Sequence, residues 1–229
     1  QMTADIAHDL RTPLGVISGY LEALRDGTLS GTQERFDTLY TEAQLLQRLV
    51  DDLRTLSLAD AGELSLGCET IHVSGFLQDI ERFYASSAEA EGISLQTEIA
   101  PALPTMDADR ARLGQILANL ISNAIRHTPQ GGSITLGAVQ QGEQVRLFVR
   151  DTGEGIEQEK LAQIFDRFYR VDESRTHTQE DGQTGLGLAI TKALVEAHGG
   201  SIQAQSQPGQ GTTMWITLPC NTTNQQALG

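Results

Sequence analysis

Only two cysteines occur in the 229 residues, Cys68 and Cys220, and no CxxC pair is present. That scarcity excludes a disulfide framework and a zinc site, and it fits a reducing compartment. Aromatic residues make up 5% of the chain, so a core must be built from aliphatic side chains. Basic residues are outnumbered, 16 Lys and Arg against 30 Asp and Glu, giving a net charge of −14 with the acid spread along the chain. Such a surface repels nucleic acid and anionic membrane, so neither is expected as a partner. A phosphate ligand would have to be held by local groups and a metal. No apolar run reaches the roughly 18 residues of a membrane span, and no signal peptide opens the chain. A helical pattern is already under way at Gln1, which reads as a fragment of a longer protein.

What is present begins with a helical hairpin. Ile6, Leu10, Leu14, Ile17, Leu21 and Leu24 recur at spacings of three and four, the period of an amphipathic helix over residues 2–26. Gly27 suits a left-handed cap. Ser30 with Gln33 three residues on reads as a capping box opening a second helix, which carries Phe36, Leu39, Ala43, Leu46, Val50, Leu53 and Leu56. Two helices bury their seams poorly, so a homodimeric four-helix bundle is expected; the alternative packs the seams on the rest of the same chain. Ser57–Leu64, "SLADAGEL", reads as a linker. Beyond it the pattern alternates. Helices are predicted at Ser74–Ala90, Ala108–His127, Glu157–Gln163 and Gly185–Ala197, and strands at Ser65–Val73, Ile93–Ile99, Ser133–Val139, Gln144–Arg150, Ser201–Ser206 and Thr212–Leu218. Late strands at hairpin spacing favour an α+β arrangement: an α/β sandwich, a mixed sheet with helices on one face. The expected division is 1–60, 61–219 and a loose tail, 220–229.

Neither a P-loop nor a dinucleotide-binding GxGxxG occurs. Two other glycine clusters do: "DTGEGI", Asp151–Ile156, after the strand "VRLFVR", and "GQTGLGLAI", Gly182–Ile190, at a helix start. Glycine lets backbone approach a ligand, and a helix N-terminus offers N–H groups to phosphate; either cluster alone also fits a plain turn or cap. In "LGQILANLISNAIRHTP" the wheel puts Arg112, Gln115, Asn119, Asn123 and Arg126 on one stripe and Leu113, Leu117, Leu120, Ile121 and Ala124 opposite. Two mid-helix asparagines each cost up to about 0.7 kcal/mol relative to alanine, where Glu or Lys would serve a solvated face. Their carbonyl oxygens suit a magnesium ion bridging phosphates; a solvated face remains the other reading.

The order "AHDLRTPL", "NLISNAIRHT", "DTGEGI", "IFDRFYRVD" and "TGLGLAI" resembles the H, N, G1, F and G2 boxes of bacterial sensor histidine kinases of two-component systems, over nearly the whole chain. The resemblance implies a dimerisation and phosphoacceptor domain followed by a Bergerat-type ATP-binding domain. It implies ATP-dependent autophosphorylation, transfer to an aspartate in the receiver domain of a response regulator, and phosphatase activity on that regulator. It also implies a homodimer, ATP and Mg²⁺ as cofactors, and origin as the cytoplasmic portion of a membrane-anchored bacterial sensor. By the same resemblance His8 is the phosphoacceptor, Asp9 its base or orienter, and Thr12, on the face of His8, the phosphatase residue. Pro13 cannot donate to the Asp9 carbonyl and weakens the ladder beside His8, permitting a kink. Asn123 is assigned to the metal, Asn119 to the phosphate side, and Arg126 and His127 to phosphate and ribose. Asp151 is assigned to the adenine amino group, with Gly153 and Gly155 making room for the base and Ile156 beside them. Phe165 and Phe168 would pack a lid over Val171–Thr184, and Arg170 would reach the γ-phosphate. Thr184, Gly185, Leu186, Gly187 and Leu188 would hold phosphate at a helix start. One departure stands out: Gln183 fills the first glycine position of the second glycine box, with Gly182 just before it.

Overall fold

The computed structural model describes residues 2–169 and 184–220, the side chains of 2–6 and 8 excepted. The chain runs α1 (Met2–Arg25), α2 (Gln33–Asp60), β1 (Glu69–His72), α3 (Val73–Ala90), β2 (Ser94–Ile99), β3 (Thr105–Ala108), α4 (Arg110–His127), β4 (Ser133–Gln141), β5 (Gln144–Asp151), α5 (Gly187–Ala197), β6 (Ser201–Ser206) and β7 (Thr212–Pro219). Helices α1 and α2 form the expected hairpin. Gly27, at φ 74°, turns the chain out of α1, and the Leu29 N–H closes onto the Ala23 carbonyl. Pro13 is buried inside α1, which continues past it. Among the described residues no helix is long and apolar enough to cross a membrane.

A five-stranded sheet follows, in the order β2-β4-β5-β7-β6, with β1 and β3 paired separately. Only β2 and β4 are parallel in it; the other neighbours are antiparallel, so the sheet is mixed. Side chains alternate along each strand. Val145, Leu147 and Val149 of β5 and Met214, Ile216 and Leu218 of β7 join the core under the helices. Helix α4 presses Leu113, Ile116, Leu117, Leu120, Ile121 and Ala124 into it. Each large aliphatic side chain so buried contributes about 1.5–3 kcal/mol, which outweighs the propensity cost of the two asparagines. The opposite face of the sheet carries Phe148 and Trp215 with ring centroids 4.9 Å apart. Arg146 stacks over Trp215 at 4.3 Å and Arg150 over Phe148 at 4.9 Å, so guanidinium groups cover the aromatics on the side that lacks helices.

Several boundaries differ from expectation. Thr32, not Ser30, precedes α2, and it makes no side-chain cap. Arg35 instead donates to the Ser30 carbonyl and lies 3.3 Å from its hydroxyl. Helix α2 runs through half of the expected linker because Thr55 and Leu56 are buried and hold its last turns. Residues 157–163 are not an α-helix: the N–H groups of Lys160, Gln163 and Asp166 reach three residues back, giving successive turns. Strand β3 takes Ala108 from the predicted helix, whose cap is Asp109. The first strand shortens to Glu69–His72, and Val73 opens α3.

Candidate active site

A cleft of about 2490 Å³ runs from the sheet end of α4 across to the hairpin. Asn119, Asn123, Arg126, His127, Asp151, Gly153, Gly155, Ile156, Thr184, Gly185, Gly187 and Leu188 all line it. The structure therefore gathers nearly every predicted nucleotide residue into one cavity, although they lie on α4, the loop after β5 and the start of α5. Leu186 is the exception, fully buried and anchoring the turn from beneath. From the hairpin, Val16 and Tyr20 of α1 and Arg48, Asp52 and Thr55 of α2 face the same space.

Asp151 ends β5 and is half-buried. Its Oδ1 accepts from the Gly153 N–H at 2.9 Å and the Thr212 N–H at 3.1 Å. Among the described residues Oδ2 has no hydrogen-bond partner. Burial pushes the carboxyl above the usual carboxylate range, against the pull of the two N–H donors and of His127 nearby. The arrangement fixes one oxygen and leaves the other as an acceptor in the cleft.

The glycines of the first cluster answer a packing demand of the loop. A Cβ on Gly153 would lie 2.3 Å from the His127 carbonyl oxygen, and one on Gly155, at φ 72°, would lie 2.0 Å from that of Gln207. Backbone packs against them from the protein side, so the loop itself requires glycine at both positions. The Ile156 N–H donates to Ser206 Oγ at 2.8 Å, which ties the loop to β6.

Asn119, expected to face phosphate, donates Nδ2 to the Gly187 carbonyl at 3.1 Å and lies 3.4 Å from Thr191 Oγ1. It straps α4 to the start of α5. One turn further on, Asn123 is partly exposed in the cleft. Among the described residues no group of three His, Cys, Asp or Glu could hold a metal unaided. A neutral carboxamide oxygen beside open space fits Mg²⁺, which usually keeps water and substrate phosphates as most of its ligands. His127 Nδ1 lies 2.9 Å from Glu154 Oε1, both side chains about half exposed at 49% and 51%, a pairing of little energetic weight. Gly185, at φ 64°, accepts from the Phe168 N–H at 3.0 Å, and the Leu186 N–H donates to Thr184 Oγ1 at 3.2 Å. Phe165 and Phe168 pack against the core. Arg170, Gly182, Gln183 and the segment expected as a lid lie outside the described residues, Thr184 excepted.

On the hairpin, His8 occupies α1, with its imidazole outside the described side chains. Asp9 and Thr12 are partly buried on the same helix. Sequence reading missed Thr212, which completes the Asp151 cradle, and the ion pair of Asp60 at the end of α2 with Arg167. The second pair joins the hairpin to the segment before the expected lid.

Two family models match the chain: "His Kinase A (phospho-acceptor) domain" over residues 1–62 and "Histidine kinase-, DNA gyrase B-, and HSP90-like ATPase" over residues 108–222. The signal transduction histidine-protein kinase BaeS of Escherichia coli (strain K12) is 38% identical over 216 residues, which cover 94% of this chain and 46% of that protein. The chain spans less than half the length of the curated relatives it matches. Among solved structures, the Acinetobacter baumannii histidine kinase AdeS superposes with a TM-score of 0.77 at 27% identity, covering 93% of this chain and 98% of that one. Full-length ShkA in complex with AMPPNP superposes at 0.73 with 29% identity, over 95% of this chain and 45% of that one.

Proposed function

The chain belongs to the sensor histidine kinase family of two-component systems and carries its catalytic core, and from that membership we propose that it phosphorylates its own His8 from ATP and passes the phosphoryl group to a response regulator. The observation that carries the reading is the single cleft that joins Asp151 and Asn123 to the hairpin. A nucleotide lodged by its base at one end has its phosphates directed toward the helices that bear the acceptor.

Residues 61–219 bind the nucleotide. Asp151 Oδ2 accepts from the adenine amino group, which selects adenine over guanine. Asn123 would hold Mg²⁺, and the ion would supply neutralisation of charge on the transferring group. The backbone at Gly185 and Gly187 meets phosphate at the start of α5, where helix N–H groups are unpaired. Arg126 and His127 flank the phosphate and ribose side. Residues 1–60 carry the acceptor and pair with a second copy: Leu14, Leu21, Phe36, Tyr40 and Val50 leave about half or more of their surface exposed in the single hairpin.

In the chemical step a ring nitrogen of His8 attacks the γ-phosphorus. A P–N bond forms as the bond from γ-phosphorus to the β–γ bridging oxygen breaks, and ADP departs with the electron pair. The proton on the other ring nitrogen passes to Asp9, and Arg170 neutralises charge developing on the γ-phosphoryl oxygens. An aspartate of the receiver domain then attacks the phosphohistidine: the P–N bond breaks, an acyl phosphate forms and the proton returns to the ring. Thr12, one turn from His8, orients the water that later hydrolyses that acyl phosphate. We place this part on the cytoplasmic side of a membrane-anchored parent.

Incubation with γ-labelled ATP and Mg²⁺ tests the reading. Acid-labile, base-stable label is expected on the wild-type chain and absent from His8→Gln. Label of equal amount on His8→Gln, or none on the wild type, would refute it.

A further inference from the structure

We propose that His198 is a positioning residue for the phosphate wall of the cleft, acting through Asp109; this rests on the reading of the cleft as an ATP site. His198 caps α5. Its Nδ1 lies 2.7 Å from the Leu194 carbonyl oxygen, and its Nε2 lies 3.1 Å from the backbone N of Asp109. A carbonyl only accepts and a backbone N–H only donates. Nδ1 therefore carries the proton and Nε2 presents its lone pair, so two backbone groups fix one neutral tautomer.

Asp109 is itself a junction. As the cap of α4 its Oδ1 accepts from the Arg112 N–H at 3.0 Å, and its Oδ2 accepts from the Gly67 N–H at 3.0 Å. The segment leading from the hairpin, the cap before α4 and the cap after α5 thus meet at one point, with His198 as the link to α5.

The opposite end of the same helix pair is held by Asn119, through Gly187 and Thr191. The two helices run antiparallel, since Asp109 meets His198 and Asn119 meets Gly187. Ten residues separate Asp109 from Asn119, a rise of about 15 Å, and eleven separate Gly187 from His198, about 16.5 Å. The spans match to about one residue's rise. α5 is clasped to α4 at both ends and cannot slide by a turn, about 5.4 Å, without breaking a clasp. That register keeps Gly187 in the same cleft as Asn123, one turn beyond Asn119. His198 does not line the cleft; it acts on the nucleotide only by holding α5. With that clasp gone, α5 retains Asn119 as a pivot and its N-terminal N–H groups no longer keep their place against phosphate.

Two variants of the full chain test this. His198→Phe keeps a ring and removes both bonds; His198→Gln keeps an acceptor for the Asp109 N–H. The expected result is a KM for ATP raised about fivefold in His198→Phe, the value of one net hydrogen bond, with the autophosphorylation rate at saturating ATP within about twofold of wild type. Hydrogen exchange at the Asp109 amide should quicken in the same variant. His198→Gln should restore both. An unchanged KM in His198→Phe, or equal defects in the two variants, would overturn the proposal. If His198→Phe does not fold, imidazole nitrogen NMR of the wild type decides with His198→Gln: an Nε2–H tautomer overturns the proposal, an Nδ1–H tautomer with wild-type KM in His198→Gln supports it. A wild-type chain that takes up no ATP would sink the ATP-site reading instead, while the exchange measurement still tests the joint.

Discussion

Replacing Asp151 by asparagine separates recognition of the base from integrity of the fold. In the native chain Oδ1 accepts from Gly153 and Thr212, and Oδ2 has no protein partner among the described residues. The asparagine carbonyl can take the place of Oδ1 and keep both bonds. Its NH₂ group then stands where Oδ2 stood, so a donor faces the adenine amino group. A hydrogen bond to a charged acceptor is lost, about 1.5–3 kcal/mol, and the unpaired donor adds about 1 kcal/mol or more. Together these weaken ATP and ADP binding by roughly two orders of magnitude or more, at 1.4 kcal/mol for each factor of ten. The fold should respond in the opposite sense. Burial raises the Asp151 carboxyl above its ordinary value, so its ionised form is disfavoured by folding. The stability that follows from this is present at low pH and lost as pH rises through the folded value; a neutral amide does not lose it. Calorimetry with Mg²⁺ and ADP, beside a thermal melt at neutral pH, measures both. Weak binding with an equal or higher Tm is expected, and inosine or guanine nucleotides should lose less because their carbonyl matches the new donor. Asp151→Asn binding ATP within threefold of wild type would refute the assignment of Asp151 to adenine.

Three further perturbations follow from other parts of the molecule. Burial, with Asp51 adding to it and Arg48 opposing, raises the Asp52 carboxyl from 3.8 to about 6. Its folded value lies above the unfolded one, so the stability it contributes is full below about pH 4 and lost as pH rises through 6. The full difference of about 3 kcal/mol falls to roughly 1–2 after allowance for partial exposure; urea titrations at pH 4 and 7 should show it in wild type and not in Asp52→Asn, and parallel pH profiles would contradict it. Gly155→Ala would set a methyl carbon 2.0 Å from the Gln207 carbonyl oxygen at φ 72°, so a loss of about 2 kcal/mol or more in chemical denaturation is expected. Leu21→Glu places a charge on the exposed apolar face of α1, where Leu21 is 53% exposed in the single chain. Light scattering should show dimer for the wild type and at least a hundredfold weaker association for the variant, roughly 3 kcal/mol; an undiminished dimer would move the interface elsewhere.

The elements that could be read from the sequence are those whose burial repeats along the chain. Helix α4 shows its apolar stripe at every turn, and β5 and β7 alternate side by side. Strand β3 was missed because four residues, Thr105–Ala108, give two inward positions, Met106 and Ala108, too few to establish a period. Residues 157–163 misled for the converse reason: Leu161 and Ile164 are spaced as on a helix, yet the backbone bonds close three residues back. The displaced start of α2 has another cause: the Arg35 guanidinium lies 3.3 Å from the Ser30 hydroxyl, the oxygen that a capping box would have used as its acceptor.

The site divides along a different line. Asp151 and Asn123 could be singled out because the work assigned to them needs a particular functional group, a carboxylate or a carboxamide, at a particular turn. Thr212 could not, because what it gives Asp151 is a backbone N–H across 61 residues, and every residue but proline owns one. His198 and Asp109 lie 89 residues apart and Asp60 and Arg167 107 apart. In the first pair the aspartate again contributes only its backbone N–H, so no partner for the histidine can be named before the chain is folded. The histidine's proton is nonetheless assigned once the two backbone neighbours are known. That makes His198 the residue at which folding, and not residue type, determines the chemistry: the same ring in solution would exchange tautomers, and here a carbonyl and an amide leave it one.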